Sequence, residues 1–163
     1  MNAEETLVVL PDEKMLMPVL YGISGSVEKL NVTMGFPMAN TPMFNFIELL
    51  IDLQINRKAD HFNHRQVLAI LGHPYVVAAH AVASSEKRKE ILNHNWVHIP
   101  TGYLATQAGL HRKIFREVIG GRKDLSVSMV TYLQEVIDKV GSLSSVGALD
   151  KEYALHFVKF FNV

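Results

Sequence analysis

Residues 6–23 read TLVVLPDEKMLMPVLYGI, and residues 30–53 read LNVTMGFPMANTPMFNFIELLIDL. Thr6–Leu10 is a short apolar run closed by Pro11, and Val8 and Val9 favour a strand over a helix. Asp12 supplies a helix cap and Glu13 an acidic first turn. Pro18 removes one backbone donor from the helix that follows, so a kink is expected there. Gly22 and Ser24–Gly25–Ser26 end it. Leu30–Met34 is the second strand. Two strands bridged by a helix predict a parallel pair with a right-handed crossover.

Thr41–Pro42 then opens a long helix, with a capping hydroxyl and proline in the first turn. Asn45, Glu48, Asp52 and Asn56 recur at spacings of three, four and four, a single narrow wet stripe. Met43, Phe44, Phe46, Ile47, Leu49, Leu50, Ile51, Leu53 and Ile55 fill the other sides. So thin a polar face requires cover on several sides, which places this helix at the centre of the core.

Outward from there the pattern is helical. Asn63 caps a helix carrying Val67, Leu68, Ile70 and Leu71, stopped by Gly72 before Pro74. Tyr75–Ala83 stays apolar, and Ser85 is placed to cap Glu86–Asn93. Trp96–Ile99, before Pro100, reads as a short extended piece, and Thr101 as a helix start. Leu110–Ile119 is helical up to Gly120–Gly121. Residues 126–140 put Val127, Val130, Leu133, Val136, Ile137 and Val140 on one face and leave Gln134, Glu135, Asp138 and Lys139 wet. Gly141–Gly147 is a loop, and Asp150 caps a last helix bearing Tyr153, Phe157, Phe160 and Phe161. The fold class that follows is α/β to mostly α: a small parallel βαβ unit, then a largely helical bundle.

The chain has 163 residues and no cysteine, which removes disulfides, thiolate zinc sites and cysteine nucleophiles and fits a reducing, cytoplasmic setting. No apolar run approaches the roughly 20 residues that span a bilayer, so no membrane partner is expected. Sixteen basic residues balance sixteen acidic ones, but unevenly. Between Glu86 and Lys123 lie Lys87, Arg88, Lys89, Arg112, Lys113, Arg116, Arg122 and Lys123, against Glu86, Glu90 and Glu117 only. This block is the candidate nucleic-acid contact, alongside the plainer reading of a solvated helical face.

The segments Leu7–Glu13, Leu16–Leu20, Asn31–Pro37, Thr41–Pro42 and Ile47–Leu53 together resemble an AddB-like helicase–nuclease subunit of the UvrD-type superfamily. The family pattern there runs LVLPDE…LLPVL, then NVTMGYPL…TP, then a leucine-rich helix. Val67–Tyr75, VLAILGHPY, is similar to the entry into that family's helical insertion domain. The resemblance implies that residues 1–57 are a partial RecA-like βαβ-α unit from the second motor lobe. Residues 58–163 would be the start of the insertion domain. The last helix runs to Phe160–Phe161–Asn162–Val163 without a stop signal, so a chain cut from a longer protein is expected.

Catalytic equipment is not legible. There is no GxxxxGK[ST] phosphate loop, no HExxH and no GxSxG elbow. Pro11–Asp12–Glu13–Lys14 looks like a nuclease signature but lacks the preceding acidic partner. His61, His64, His73 and His80, and His94 with His98, lack the converging carboxylates that zinc would need, so caps and surface positions are expected for them. No catalytic, cofactor-binding or metal-binding residue, and no cofactor, is expected. The expected function is a noncatalytic piece of a DNA-repair helicase–exonuclease subunit, serving as scaffold and contacting DNA during double-strand-end processing. Its partners would be DNA, the rest of the parent protein, a motor helicase subunit, and a second copy through an exposed strand edge. The alternatives are a self-contained helical protein–protein interaction module, and a small enzyme with an unrecognised pocket.

Overall fold

The computed structural model describes residues 6–23, 27, 30–33, 37–105, 109–118 and 125–161. The chain is mostly helical. It divides into two compact units, Met1–Thr41 and Pro42–Val163.

In the first unit, the Asp12 carboxylate accepts from the Lys14 amide at 2.9 Å and caps a 3-10 turn, Glu13–Met15. Helix α1, Leu16–Gly22, follows directly. Pro18 is its third residue. A proline in the first turn lacks a donor that has no partner within the helix in any case, so α1 tolerates it. A second 3-10 turn, Met38–Asn40, is closed by the Thr41 hydroxyl donating to the Met38 carbonyl at 2.7 Å.

The expected parallel βαβ unit does not form. Neither Thr6–Leu10 nor the described part of the second candidate, Leu30–Thr33, is strand; Met34 lies outside the described residues. An unbroken apolar run makes a stable strand when layers cover both of its faces. Here Leu7 is 86% exposed and Val9 78%, so that cover is missing. The sheet among the described residues is antiparallel and small: β1, His61–Asn63, pairs with β2, His98–Pro100, setting Phe62 opposite Ile99.

The second unit is built around α2, Pro42–Ile55. Met43, Phe46, Ile47, Leu50 and Leu53 are buried, while Asn45, Glu48, Asp52 and Asn56 face solvent, as the stripe predicts. Fully burying each large apolar side chain contributes on the order of 1.5–3 kcal/mol. α2 packs on α3, His64–Leu71, on α7, Leu125–Gly141, and on α8, Ala148–Phe161. By compactness α2 thus belongs to the second unit, which begins at Pro42. The Asn63 side chain caps α3, accepting from the Arg65 amide at 2.9 Å.

Helix α4, Pro74–Asn93, runs straight through Ser85, which caps nothing because the helix has already begun at Pro74. It breaks its regular geometry instead at His80, whose φ and ψ are −151° and 59°. After β2 come α5, Thr101–Leu104, and α6, Leu110–Ile114, the latter shorter than expected; Ile119, Gly120 and Gly121 lie outside the described residues. α7 buries Tyr132, Leu133, Val136, Ile137 and Val140, but Val127 is 67% exposed near its start. No single helix among the described residues is long and apolar enough to cross a membrane.

Candidate functional site

The basic block is not one surface. Lys87 is buried: its ammonium donates to the Tyr103 carbonyl at 2.8 Å and lies 4.2 Å from the centre of the Tyr103 ring. Burial lowers its pKa, and the Glu90 charge offsets part of that. The Tyr103 hydroxyl donates to Glu90, which ties α5 to α4 a second time. The Arg88 guanidinium covers the C-terminal end of α3, where a Cβ on Gly72 would lie 3.2 Å from its Nη1. A cation at that end also meets the negative pole of the helix. Lys113 and Arg116 share Glu135 of α7, at 3.7 and 3.4 Å. Lys89 and Arg112 are exposed, and Arg122 and Lys123 lie outside the described residues. Of the eight candidates, Lys89 and Arg112 are thus the described ones left facing solvent without a structural task assigned above.

A second constellation is not legible in the sequence. His80, at the break in α4, and Ser84 and Lys87, one turn apart just after it, come together at one place. His111 of α6 meets them there. The Ser84 hydroxyl and His111 Nε2 are 3.0 Å apart, both groups buried. The His80 and His111 rings lie 5.1 Å apart between centres. His111 Nδ1 is buried and has no hydrogen-bond partner among the described residues. Burial, then the neighbouring His80 and Lys87, push the His111 pKa down to about 4.

A serine beside a histidine invites a nucleophile–base reading. Such a pair needs a third group to orient the base and an open approach for substrate. Ser84 is 1% exposed and His111 0%, and nothing described accepts from Nδ1. The pair is a packed polar seam holding α4 against α6.

No family model, curated protein or solved structure matches this chain.

Four further histidines have local roles. His61 pairs with Asp60 at 2.7 Å, His64 Nδ1 meets the Val97 carbonyl at 3.3 Å, and His94 Nδ1 meets the Glu90 carbonyl at 2.8 Å. His98 is exposed on β2. Among the described residues no group of three or more histidine, aspartate or glutamate side chains could hold a metal ion. His73 caps α4, its Nδ1 accepting from the Tyr75 amide at 3.4 Å. Burial lowers its pKa to about 4, against smaller opposing effects of the Pro42 backbone and the Asp150 charge. The Tyr75 hydroxyl donates to Asp150 at 2.7 Å, fastening α4 to α8. Asp150 is therefore a buried tether in the first turn of α8 as well as an acidic residue at its start.

Proposed function

We propose that this chain is a noncatalytic scaffold element of an AddB-like helicase–nuclease subunit, working in the processing of double-strand DNA ends. The observation that carries the reading is the state of the N-terminal motif residues. Leu7, Val8, Val9 and Val32 belong to the stretches that resemble the family's lobe strands, yet all are exposed and outside any sheet among the described residues. Apolar strand-like segments with bare faces fit a piece whose sheet is completed by other polypeptide. In that role the chain needs no cofactor of its own. Its partners are the other parts of the parent protein and a motor helicase subunit, with DNA contacted at phosphates through Lys89 and Arg112.

The test places Leu7→Asp and Val9→Asp together in the native host. ATP-dependent degradation of linear duplex DNA in extracts, and survival after double-strand breaks, should both fall at least tenfold. Unchanged degradation and survival, with the protein present at normal level, would sink the proposal. A self-contained protein-binding module is the second reading. It is favoured by the exposed Val77, Val82, Leu92 and Val97 on a unit that already has a closed core. That reading predicts no defect in DNA degradation.

A further inference from the structure

Helix α4 does two jobs at its two ends, and one residue separates them. Its first turn is tied to α8 through Tyr75 and Asp150. Its second half is tied to α6 and α5 through Ser84–His111 and Lys87–Tyr103. Between the ties, His80 leaves helical geometry, with no proline or glycine at the bend. The His80 ring sits on Gly109, where a Cβ would stand 3.0 Å from Nε2, and faces the His111 ring. Gly109 has φ of +87°, a conformation that side chains with a Cβ rarely adopt. Glycine is thus needed there twice, for its backbone and for the space the ring occupies.

We propose that His80, Gly109 and His111 form a proton-sensitive latch that sets the bend of α4. An imidazolium at His111 would carry two N–H donors where one has an acceptor, Ser84. It would also stand near the His80 imidazole and within the influence of the Lys87 ammonium. The ionisable groups around it are otherwise committed. From α4 they are His80, Lys87 and Glu90, the last held by Tyr103 of α5. On α7, Tyr132 and Glu135 reach α6 at Ile114 and at Lys113 with Arg116. None of these gives His111 Nδ1 an anionic partner. Proton uptake is relieved when the rings part, and the two halves of α4 then realign. The low pKa of His111 agrees with a neutral, closed latch near pH 7.

Hydrogen exchange of the full chain, resolved by residue and corrected for intrinsic rates, tests this between pH 7 and pH 4.5. Amides of residues 80–85 should lose protection at least tenfold more than those of Val67–Leu71 and Tyr132–Val136. A uniform loss, or none, overturns the latch. His111→Gln, which keeps a partner for Ser84 and cannot titrate, should remove most of that local acid effect; its persistence in this variant also overturns it. Gly109→Ala should open the same amides at pH 7, and continued protection there counts against the seat. Should that variant fail to fold, the wild-type and His111→Gln profiles decide the matter.

Discussion

Three successive basic residues, Lys87, Arg88 and Lys89, have three different environments, and a substitution at each means something different. Lys87→Met loses a buried hydrogen bond and should cost about 1–3 kcal/mol of stability. Lys89→Glu touches nothing structural and should stay within about 0.5 kcal/mol. For nucleic acid the order reverses. If Lys89 and Arg112 meet phosphates, Lys89→Glu with Arg112→Glu weakens binding to a short duplex at low salt. Each lost contact should flatten the plot of log affinity against log salt by about 0.9. Fluorescence anisotropy over a salt series measures this, and an unaltered slope would clear both residues of the role. The histidines carry a second prediction. His73 and His111 are held at about 4, below an ordinary histidine at 6.5. Between those values the unfolded chain binds more protons than the folded one. Stability from this source is present above pH 6.5 and is lost as pH falls toward 4. By pH 5 each should have cost about 2 kcal/mol relative to pH 7.5. Urea midpoints should drop accordingly, and His111→Gln should remove about half of that drop.

At the scale of the element, α2 shows how far pattern reading reaches. Its polar stripe, its buried faces and its start at Pro42 all follow from spacing, because a central helix is dictated by its own side chains. Gln54 does not follow. It sits among apolar residues, yet its amide donates to the Arg116 carbonyl at 3.0 Å and accepts from the Val118 amide at 3.4 Å. It pins the chain leaving α6 to α2. Gln54→Ala should cost about 2–3 kcal/mol, since it leaves buried backbone groups without partners, and Gln54→Glu should cost more, since it buries a carboxylate against the Arg116 carbonyl. Thermal melts of the two variants distinguish these outcomes. The caps Asp12 and Asn63, and the extended piece before Pro100, are legible for the same local reason. Sites made by distant contacts are not. The His80 ring meets Gly109, distant in sequence, and the Ser84–His111 pair looks from sequence like two unrelated polar residues. The strand pattern of Leu7–Leu10 misleads because propensity says what a segment can become, whereas covering layers decide whether it does.

At the scale of the molecule, the two units differ in what they bury. From Met43 to Phe157 the second unit closes one continuous core, with Phe46, Phe62, Phe115 and Tyr132 fully enclosed. The first unit buries Leu16 and Met17 but exposes Leu7, Val8, Val9, Met15, Tyr21, Leu30, Val32 and Met38. A unit with its own core should fold alone, so residues 42–163 should keep a single cooperative melt, within about 5 °C of the full chain. A broad, non-cooperative melt would show that the core depends on residues 1–41. Solution behaviour should divide along the same line. Exposed, unbroken apolar segments with free backbone groups invite strand pairing between copies. Sedimentation of the full chain should therefore show dimers that grow with concentration, and residues 42–163 should remain monomeric under the same conditions. Val9→Lys places a charge in the middle of the run and should shift the full chain to monomer without changing its melt. Dimers that survive both the truncation and the lysine would place the contact on the helical unit and remove Leu7–Leu10 as the pairing edge.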